Sequence, residues 1–176
     1  MTMSAEQRVQ NLEDLEAIRR LRHEWCAQLD IALESDDANA AASAIAWLRK
    51  HLADDFRLTS NLHEPIRSGA EFAERLAGAV ADYAMSFHML SNDLIRPLPT
   101  PAGAEAAASG SWYTLAMLTL AGQPLWAASI SEELYRKQGD GWLVASMALD
   151  YRFVSPHASG WEKERFADPS LCSRVY

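Results

Sequence analysis

The sequence predicts an α+β protein: N-terminal helices pack on one face of a curved antiparallel sheet and leave a pocket between them. The first half of the 176 residues carries apolar residues at helical spacing, three or four positions apart. The second half carries long strand-like runs joined by short glycine-containing segments, as in an antiparallel meander. Helices that precede antiparallel strands indicate an α+β architecture.

The first helix is predicted to begin near Ser4, because Ser4 and Gln7 have the spacing of a capping box. Asp30 falls on the edge of the apolar stripe of this helix, where a carboxylate is either solvated at the rim or turned into a cavity. Arg22 falls within the stripe, where it either extends to solvent or pairs with an acid. The stripe consists of Leu12, Leu15, Ile18, Leu21, Trp25, Leu29 and Leu33.

A second helix is predicted over Ala38–Ala53, capped by Asp36 or Asp37. Phe56–Ser60 follows as a short strand. A third helix opens at a second capping-box pattern, formed by Ser68 and Glu71. These elements complete the helical half of the predicted fold.

The segment Ser86–Arg96 is predicted to be a strand that carries the best candidate for chemistry, His88. Because side chains alternate along a strand, His88 and Asn92 are expected to share one face, together with Ser86, Leu90 and Leu94. A histidine in such an apolar row is either a packed core residue or a base that faces a cavity.

Three further strands are predicted over Glu105–Ala121, Pro124–Gln138 and Trp142–Val154, with glycines at the joins. Residues 1–156 then form one domain. Residues 157–176 form a tail that contains Trp161 and Phe166, and these aromatic side chains predict that the tail docks on the body or on a neighbouring subunit.

Composition excludes several classes of function. A net charge of −8 disfavours nucleic acid and anionic membrane surfaces. Neither Cys26 nor Cys172 belongs to a metal-ligand pattern, and His23, His51, His63 and His157 have no partner at ligand spacing, so no metal is expected. No phosphate-binding loop or nucleophile elbow is present, and no apolar leader or membrane-length run occurs. These absences predict a cytoplasmic protein with reduced thiols.

An ordered set of short motifs resembles the SnoaL-like branch of the nuclear transport factor 2-like superfamily, from about Leu12 to Pro156. Ala17-Ile18 is followed thirteen residues later by Asp30, as in the first helix of that branch. The other motifs are Leu52–Phe56, Gly69–Phe72, Ser86–Asn92, Gly110–Tyr113 and the final hairpin Glu132–Val144.

The resemblance implies a cone-shaped, curved antiparallel sheet packed against the N-terminal helices around an apolar pocket. The implied function is that of a cofactor-independent lyase or isomerase, dehydratase-like, that acts on a small, apolar and cyclic molecule. In similar proteins an aspartate of the first helix and a histidine of the strand after the third helix form a dyad, and the matching residues are Asp30 and His88. The chemistry is consistent: a neutral imidazole removes a proton, and a nearby carboxylate orients the ring and stabilises the imidazolium.

Four more residues are candidates for substrate binding. Trp25 and Met147 stand where similar enzymes carry a tyrosine, lysine or arginine, so the groups that define each known reaction are missing. Asn92 either binds a substrate oxygen or caps a backbone group or turns outward. Tyr113 is either a general acid or enolate stabiliser, or an aromatic residue of the core.

Two alternatives remain open at this point. The same fold also serves as a non-catalytic module for ligand binding or assembly, which the missing polar groups favour. In either case the surplus of apolar residues over Pro124–Gln138 predicts a homo-oligomer. The resemblance implies that it pairs through the outer face of the sheet, as a dimer or trimer.

Overall fold

The computed structural model describes residues 4–101 and 103–158. These residues form three α-helices, α1 (Ala5–Glu34), α2 (Ala38–Lys50) and α3 (Gly69–Ala79), with a 3-10 turn at Val80–Asp82. They also form five strands. The strands are β1 (Leu52–Ser60), β2 (Tyr83–Leu98), β3 (Ala107–Leu120), β4 (Gln123–Gln138) and β5 (Gly141–Pro156). All but the first two residues of the predicted tail lie outside the described residues.

The helices begin where the capping residues predict. Ser4 and Gln7 form a reciprocal capping box at α1, and Asp37 accepts a hydrogen bond from the backbone N–H of Asn39 at α2. The Ser68 side chain accepts from the N–H of Glu71 at α3. Helix α2 ends three residues before the predicted boundary, because Leu52 already pairs with β5.

The fold class is confirmed as α+β, but one strand joins the antiparallel sheet in parallel orientation. The strand order is β1-β5-β4-β3-β2, and β2 to β5 form the predicted antiparallel meander. Strand β1 pairs with β5 in parallel, so the sheet is mixed. Since β1 and β2 lie at opposite edges, the sheet is not closed.

Helix α1 covers the inner face of the sheet and brings its buried stripe against β2. The stripe begins later than predicted, because Leu12 is 66% exposed and Ile18 is the first fully buried residue of the helix. Strands β3 and β4 alternate between buried inner and more accessible outer positions. The core therefore lies between α1 and the sheet, and both Asp30 and His88 are on elements that border it.

No helix within the described ranges has the length and apolar character needed to cross a membrane.

Candidate active site

Asp30 and His88 are in direct contact. Asp30 lies in the last third of α1, and His88 lies in the first half of β2. Asp30 Oδ1 is 2.6 Å from His88 Nδ1, and the His88 side chain is only 3% exposed. The carboxylate therefore orients the imidazole in a site that is largely closed to water.

The Asp30 carboxylate is fixed by β2 at two further points. Oδ2 accepts a hydrogen bond from the backbone N–H of His88 at 3.0 Å, and Oδ1 accepts one from the Ser86 hydroxyl at 2.8 Å. Ser86 is itself buried. Because three donors of one short strand segment meet a single carboxylate, the relative position of α1 and β2 is tightly defined here.

His88 lines a cavity between α1 and the sheet. About 50 Å³ of this cavity is open to the centres of water molecules. One water needs roughly 10–15 Å³ on this measure, so the space is not packed solid. The other lining residues are Arg22, Trp25, Cys26, Leu29, Leu58, Phe72, Thr114, Ala116, Leu118, Ala127, Ser129, Met147, Leu149 and Tyr151.

The predicted residues Trp25 and Met147 both line this cavity and make its wall apolar at those positions. Cys26 lines it as well and is a buried free thiol. Burial raises the pKa of the Cys26 thiol to about 11, although the nearby Arg22 guanidinium acts in the opposite direction. The thiol is therefore neutral near pH 7 and is not an activated nucleophile.

The structure settles the two alternatives for Arg22: it pairs with an acid. Arg22 Nε lies 2.8 Å from Glu133 Oε2 of β4, and the two side chains are 5% and 0% exposed. The contact is an ion pair rather than a well-directed hydrogen bond. Burial lowers the pKa of Arg22, but the surrounding groups, Glu133 first and then Tyr135 and Cys26, together outweigh that effect. The net pKa is raised, so the guanidinium stays charged.

Glu133 is supported from behind by a buried hydrogen-bond network. The Ser131 hydroxyl donates to Glu133 Oε1 at 2.7 Å, and the Tyr135 hydroxyl donates to Oε2. Trp112 Nε1 donates to the Tyr135 hydroxyl at 2.8 Å. Burial raises the pKa of Tyr135 well above its usual value, and Glu133 adds to this effect, so the phenol remains a donor.

This network depends on a glycine in the neighbouring strand. A Cβ atom on Gly110 would lie 2.8 Å from Cε2 of Tyr135 and 3.1 Å from Nε1 of Trp112. The absence of a side chain at Gly110 therefore allows the two rings to meet, which gives the Gly110–Tyr113 motif a structural role.

The prediction that Asn92 shares the face of His88 is wrong. The register between β2 and β3 shifts between Ser91 and Leu94, and Asn92 has a φ of 53°. This bulge interrupts the alternation of side chains, so Asn92 is exposed and does not line the cavity. Beyond the bulge, Asp93 faces α1 and pairs with Arg19 at 2.7 Å.

Tyr113 also lies away from the cavity. Its neighbours Trp112 and Thr114 are the residues of β3 that face inward, so alternation places Tyr113 on the outer face, where it is 46% exposed. This location contradicts both the core position and the pocket position considered for it. Tyr113 contributes instead to an apolar outer surface.

Two polar residues of the site were not identified as such from sequence. Ser86 carries a signal, because it precedes His88 by two residues and therefore shares its face of β2. Glu133 carries a weaker signal. It lies between Glu132 and Leu134, and the sequence does not show which alternate residues of this strand face inward until the position of the preceding turn is known. No group of three His, Cys, Asp or Glu side chains suited to a metal ion occurs in residues 4–101 and 103–158.

The described residues thus place helices on one face of an open five-stranded sheet, with a cavity between them. The chain belongs to the SnoaL-like domain family, whose model matches residues 10–148. No curated protein matches the chain.

Solved structures share the fold at low sequence identity. A Novosphingobium aromaticivorans protein provisionally named a scytalone dehydratase has a TM-score of 0.68 and 14% identity, over 84% of this chain and 89% of that chain. A hexachlorocyclohexane dehydrochlorinase, LinA type 2, has a TM-score of 0.61 and 18% identity, over 93% and 99% of the two chains.

A second Novosphingobium aromaticivorans protein, provisionally named an aromatic ring hydroxylase, has a TM-score of 0.67 and 17% identity, over 86% and 96%. Proteins of this fold thus include a dehydrochlorinase and a protein provisionally named a dehydratase, which are names of lyases. The third name belongs to another class of reaction, so the fold by itself does not fix the chemistry.

Proposed function

We propose that the protein is a cofactor-independent lyase or isomerase in which His88 removes a proton from a carbon atom of a small, apolar, cyclic substrate. The observation that carries this proposal is the 2.6 Å contact between Asp30 Oδ1 and His88 Nδ1 at the wall of the cavity. A base held by a carboxylate in a largely dry site meets the geometric requirement for general base catalysis.

Because Nδ1 lies against Asp30, proton abstraction is assigned to Nε2. In a dehydration the C–H bond breaks, its electron pair forms a C=C bond, and the C–O bond to the leaving hydroxyl breaks. The departing oxygen takes the proton from the imidazolium, so water leaves and His88 is neutral again. In an isomerisation the same proton returns to a different carbon. Asp30 stabilises the imidazolium in both cases.

The lining defines the chemical class of substrate. Trp25, Leu29, Phe72 and Met147 supply an apolar wall, which favours a compact ring system over a charged metabolite. The wall contains no cationic group at the positions of Trp25 and Met147, so the substrates of the dehydrochlorinase are not transferred to this chain.

A panel of cyclic β-hydroxy ketones tests the proposal, with formation of the conjugated enone followed by ultraviolet absorbance. The wild-type protein is expected to eliminate water from members of the panel. His88→Ala and Asp30→Asn should each reduce the rate by about 10²- to 10⁴-fold while the fold, followed by circular dichroism, is retained. A wild type inactive across the panel, or variants as active as the wild type, would contradict the proposal and leave a binding module as the function.

The outer face of the sheet supports a proposed homo-oligomer. Met85, Phe87 and Met89 of β2 are exposed on this face, and Tyr113 of β3 lies beside them. Phe87 is paired with Met117, which is paired in turn with Trp126, so the apolar row continues across three strands. A continuous apolar row on a sheet fits a second copy of the same surface.

Light scattering coupled to size-exclusion chromatography tests this assembly. The wild type is expected to elute as a dimer or trimer, and Phe87→Glu should shift it toward the monomer. Leu12→Glu is the matched control, since Leu12 is an exposed apolar residue of helix α1 and not of the outer sheet face. A monomeric wild type would exclude the proposed interface.

A further inference from the structure

Arg22 is a buried cation whose hydrogen-bonding capacity is only partly used. The residue is 4% exposed and lines the same cavity as His88. Nη1 is buried and has no hydrogen-bond partner among the described residues, although Nε contacts Glu133. An unsatisfied N–H inside a protein costs free energy, and such groups call for an explanation.

The guanidinium is held in place on both sides. Its central carbon lies 5.8 Å from the centre of the Trp25 ring and 5.9 Å from that of the Trp112 ring. Cation–π contacts of this kind, together with the Glu133 pair, fix the position of the group before any ligand arrives. A donor that is already ordered loses little entropy when it binds an acceptor.

We infer that Arg22 Nη1 is the polar anchor of the cavity and that it binds an uncharged acceptor oxygen, such as a ketone carbonyl, on an otherwise apolar ligand. The inference deepens the proposed function and rests on it for the reaction, because it assigns the second contact of the substrate. Arg22 acts here as a binding and specificity residue; the proton transfer remains with His88.

Charge decides between a neutral oxygen and an anion. Arg22 and Glu133 together are neutral, so a carboxylate in the cavity would bring an unpaired negative charge into an apolar, buried site. Such a charge is expensive to bury. A carbonyl oxygen accepts the free N–H without adding charge.

Arg22 and His88 reach the cavity from different elements, α1 and β2, so one ligand can contact both side chains. In a β-hydroxy ketone the acidic C–H is on the carbon next to the carbonyl, so an oxygen bound at Arg22 keeps the reacting C–H in the same cavity as His88.

Binding of a matched set of probes tests the inference: 2-tetralone, the hydrocarbon tetralin, and tetralin-2-carboxylate, each followed by ligand-observed NMR. The wild type is expected to bind the ketone about 10- to 100-fold more tightly than the hydrocarbon, the range for a hydrogen bond to a charged group. The carboxylate should bind no better than the hydrocarbon.

Removing Arg22 alone would leave the buried Glu133 carboxylate without its counter-ion. The main variant is therefore the double change Arg22→Met with Glu133→Gln. This variant should bind ketone and hydrocarbon about equally, with the fold retained by circular dichroism. Arg22→Lys, which keeps a cation beside Glu133 but lacks the planar fork, should lose part of the preference. Arg19→Met is the control, since Arg19 pairs with Asp93 outside the cavity, and it should keep the preference.

Three results would overturn the inference: equal binding of ketone and hydrocarbon by the wild type (including no binding of either), tighter binding of the carboxylate, or an unchanged ketone preference in the double variant. Elimination and ketone binding are measured separately, so failure of the proposed reaction can be told apart from failure of the Arg22 inference. His88→Ala should keep the ketone preference while it loses elimination, so loss of one readout without the other identifies which proposal is wrong.

Discussion

Two buried polar pairs connect α1 to the sheet, and they differ in how completely their hydrogen bonds are used. Asp30 receives three donors from β2, two of them from side chains. Arg22 meets Glu133, but its Nη1 has no partner among the described residues. The first pair is closed on itself and suits the orientation of a base. The second pair has an unused donor and suits the binding of a ligand.

The difference shows that burial of a charge and readiness for chemistry are separate properties. A fully satisfied carboxylate holds its neighbour in one orientation, whereas a partly satisfied cation is poised for an acceptor. Cys26 lies between the two pairs on α1, four residues from each, and its pKa responds to both.

The largest predicted effect on stability comes from breaking the Arg22–Glu133 pair on one side. Glu133→Ala leaves a buried guanidinium without its counter-ion, which should lower the free energy of unfolding by about 3–5 kcal/mol. Urea denaturation followed by circular dichroism measures this change. Asp30→Asn keeps an acceptor for β2 and should cost distinctly less; equal losses for the two variants would remove the contrast between the pairs.

A smaller loss is expected when the network behind Glu133 is crowded. Gly110→Ala places a methyl group against the rings of Tyr135 and Trp112, which should lower stability by about 1–3 kcal/mol. Gly78→Ala is the control, because a Cβ there meets nothing within 4 Å. Thermal unfolding of both variants checks the prediction, and an unaffected Gly110→Ala would show that the rings can separate freely.

Loss of one donor to Asp30 is expected to have a milder effect. Ser86→Ala removes the hydroxyl that donates to Oδ1, while the His88 ring and backbone N–H remain. The free energy of unfolding should fall by about 0.5–1.5 kcal/mol. If the free energy of unfolding fell as far as it does for Glu133→Ala, the remaining donors from His88 would not be enough to hold the Asp30 carboxylate in place.

The smallest perturbation is a pH titration of Cys26 in a Cys172→Ser background. The folded-state pKa of about 11 lies above the usual 9.0, so alkylation by iodoacetamide should keep rising up to pH 11 in the folded protein. In urea the rate should level off above pH 9. Since the folded pKa is the higher one, the stability that the neutral thiol contributes is complete below pH 9 and is lost toward pH 11. Identical profiles in the two states would contradict the assigned burial.

Much of the fold was predictable from sequence because it depends on local signals. The capping residues mark the starts of the helices, and the glycine positions mark the turns of the meander. The parallel pairing of β1 with β5 was not predicted, since it joins strands that are distant in sequence and leaves no local pattern.

The site was only partly predictable for the same physical reason. The Asp30–His88 contact follows from a motif order that resembles a known family. The partner of Arg22 could be identified only from the structure, which shows which residues of β4 face inward. The bulge at Asn92 reverses the alternation of β2, and a single residue with φ of 53° is not marked in the sequence strongly enough to be found. Tyr113 was misplaced because both faces of β3 carry apolar and aromatic side chains, so its residue pattern does not show which face is buried.

Arg22, Cys26 and Asp30 follow one another at intervals of four residues along a single helix. A rearrangement that exchanges Arg22 with the buried Ile18 would move the guanidinium by four residues, about 6 Å along the helix axis, and leave the base untouched. The place at which a ligand oxygen is bound would then change in steps of about one helical turn rather than continuously.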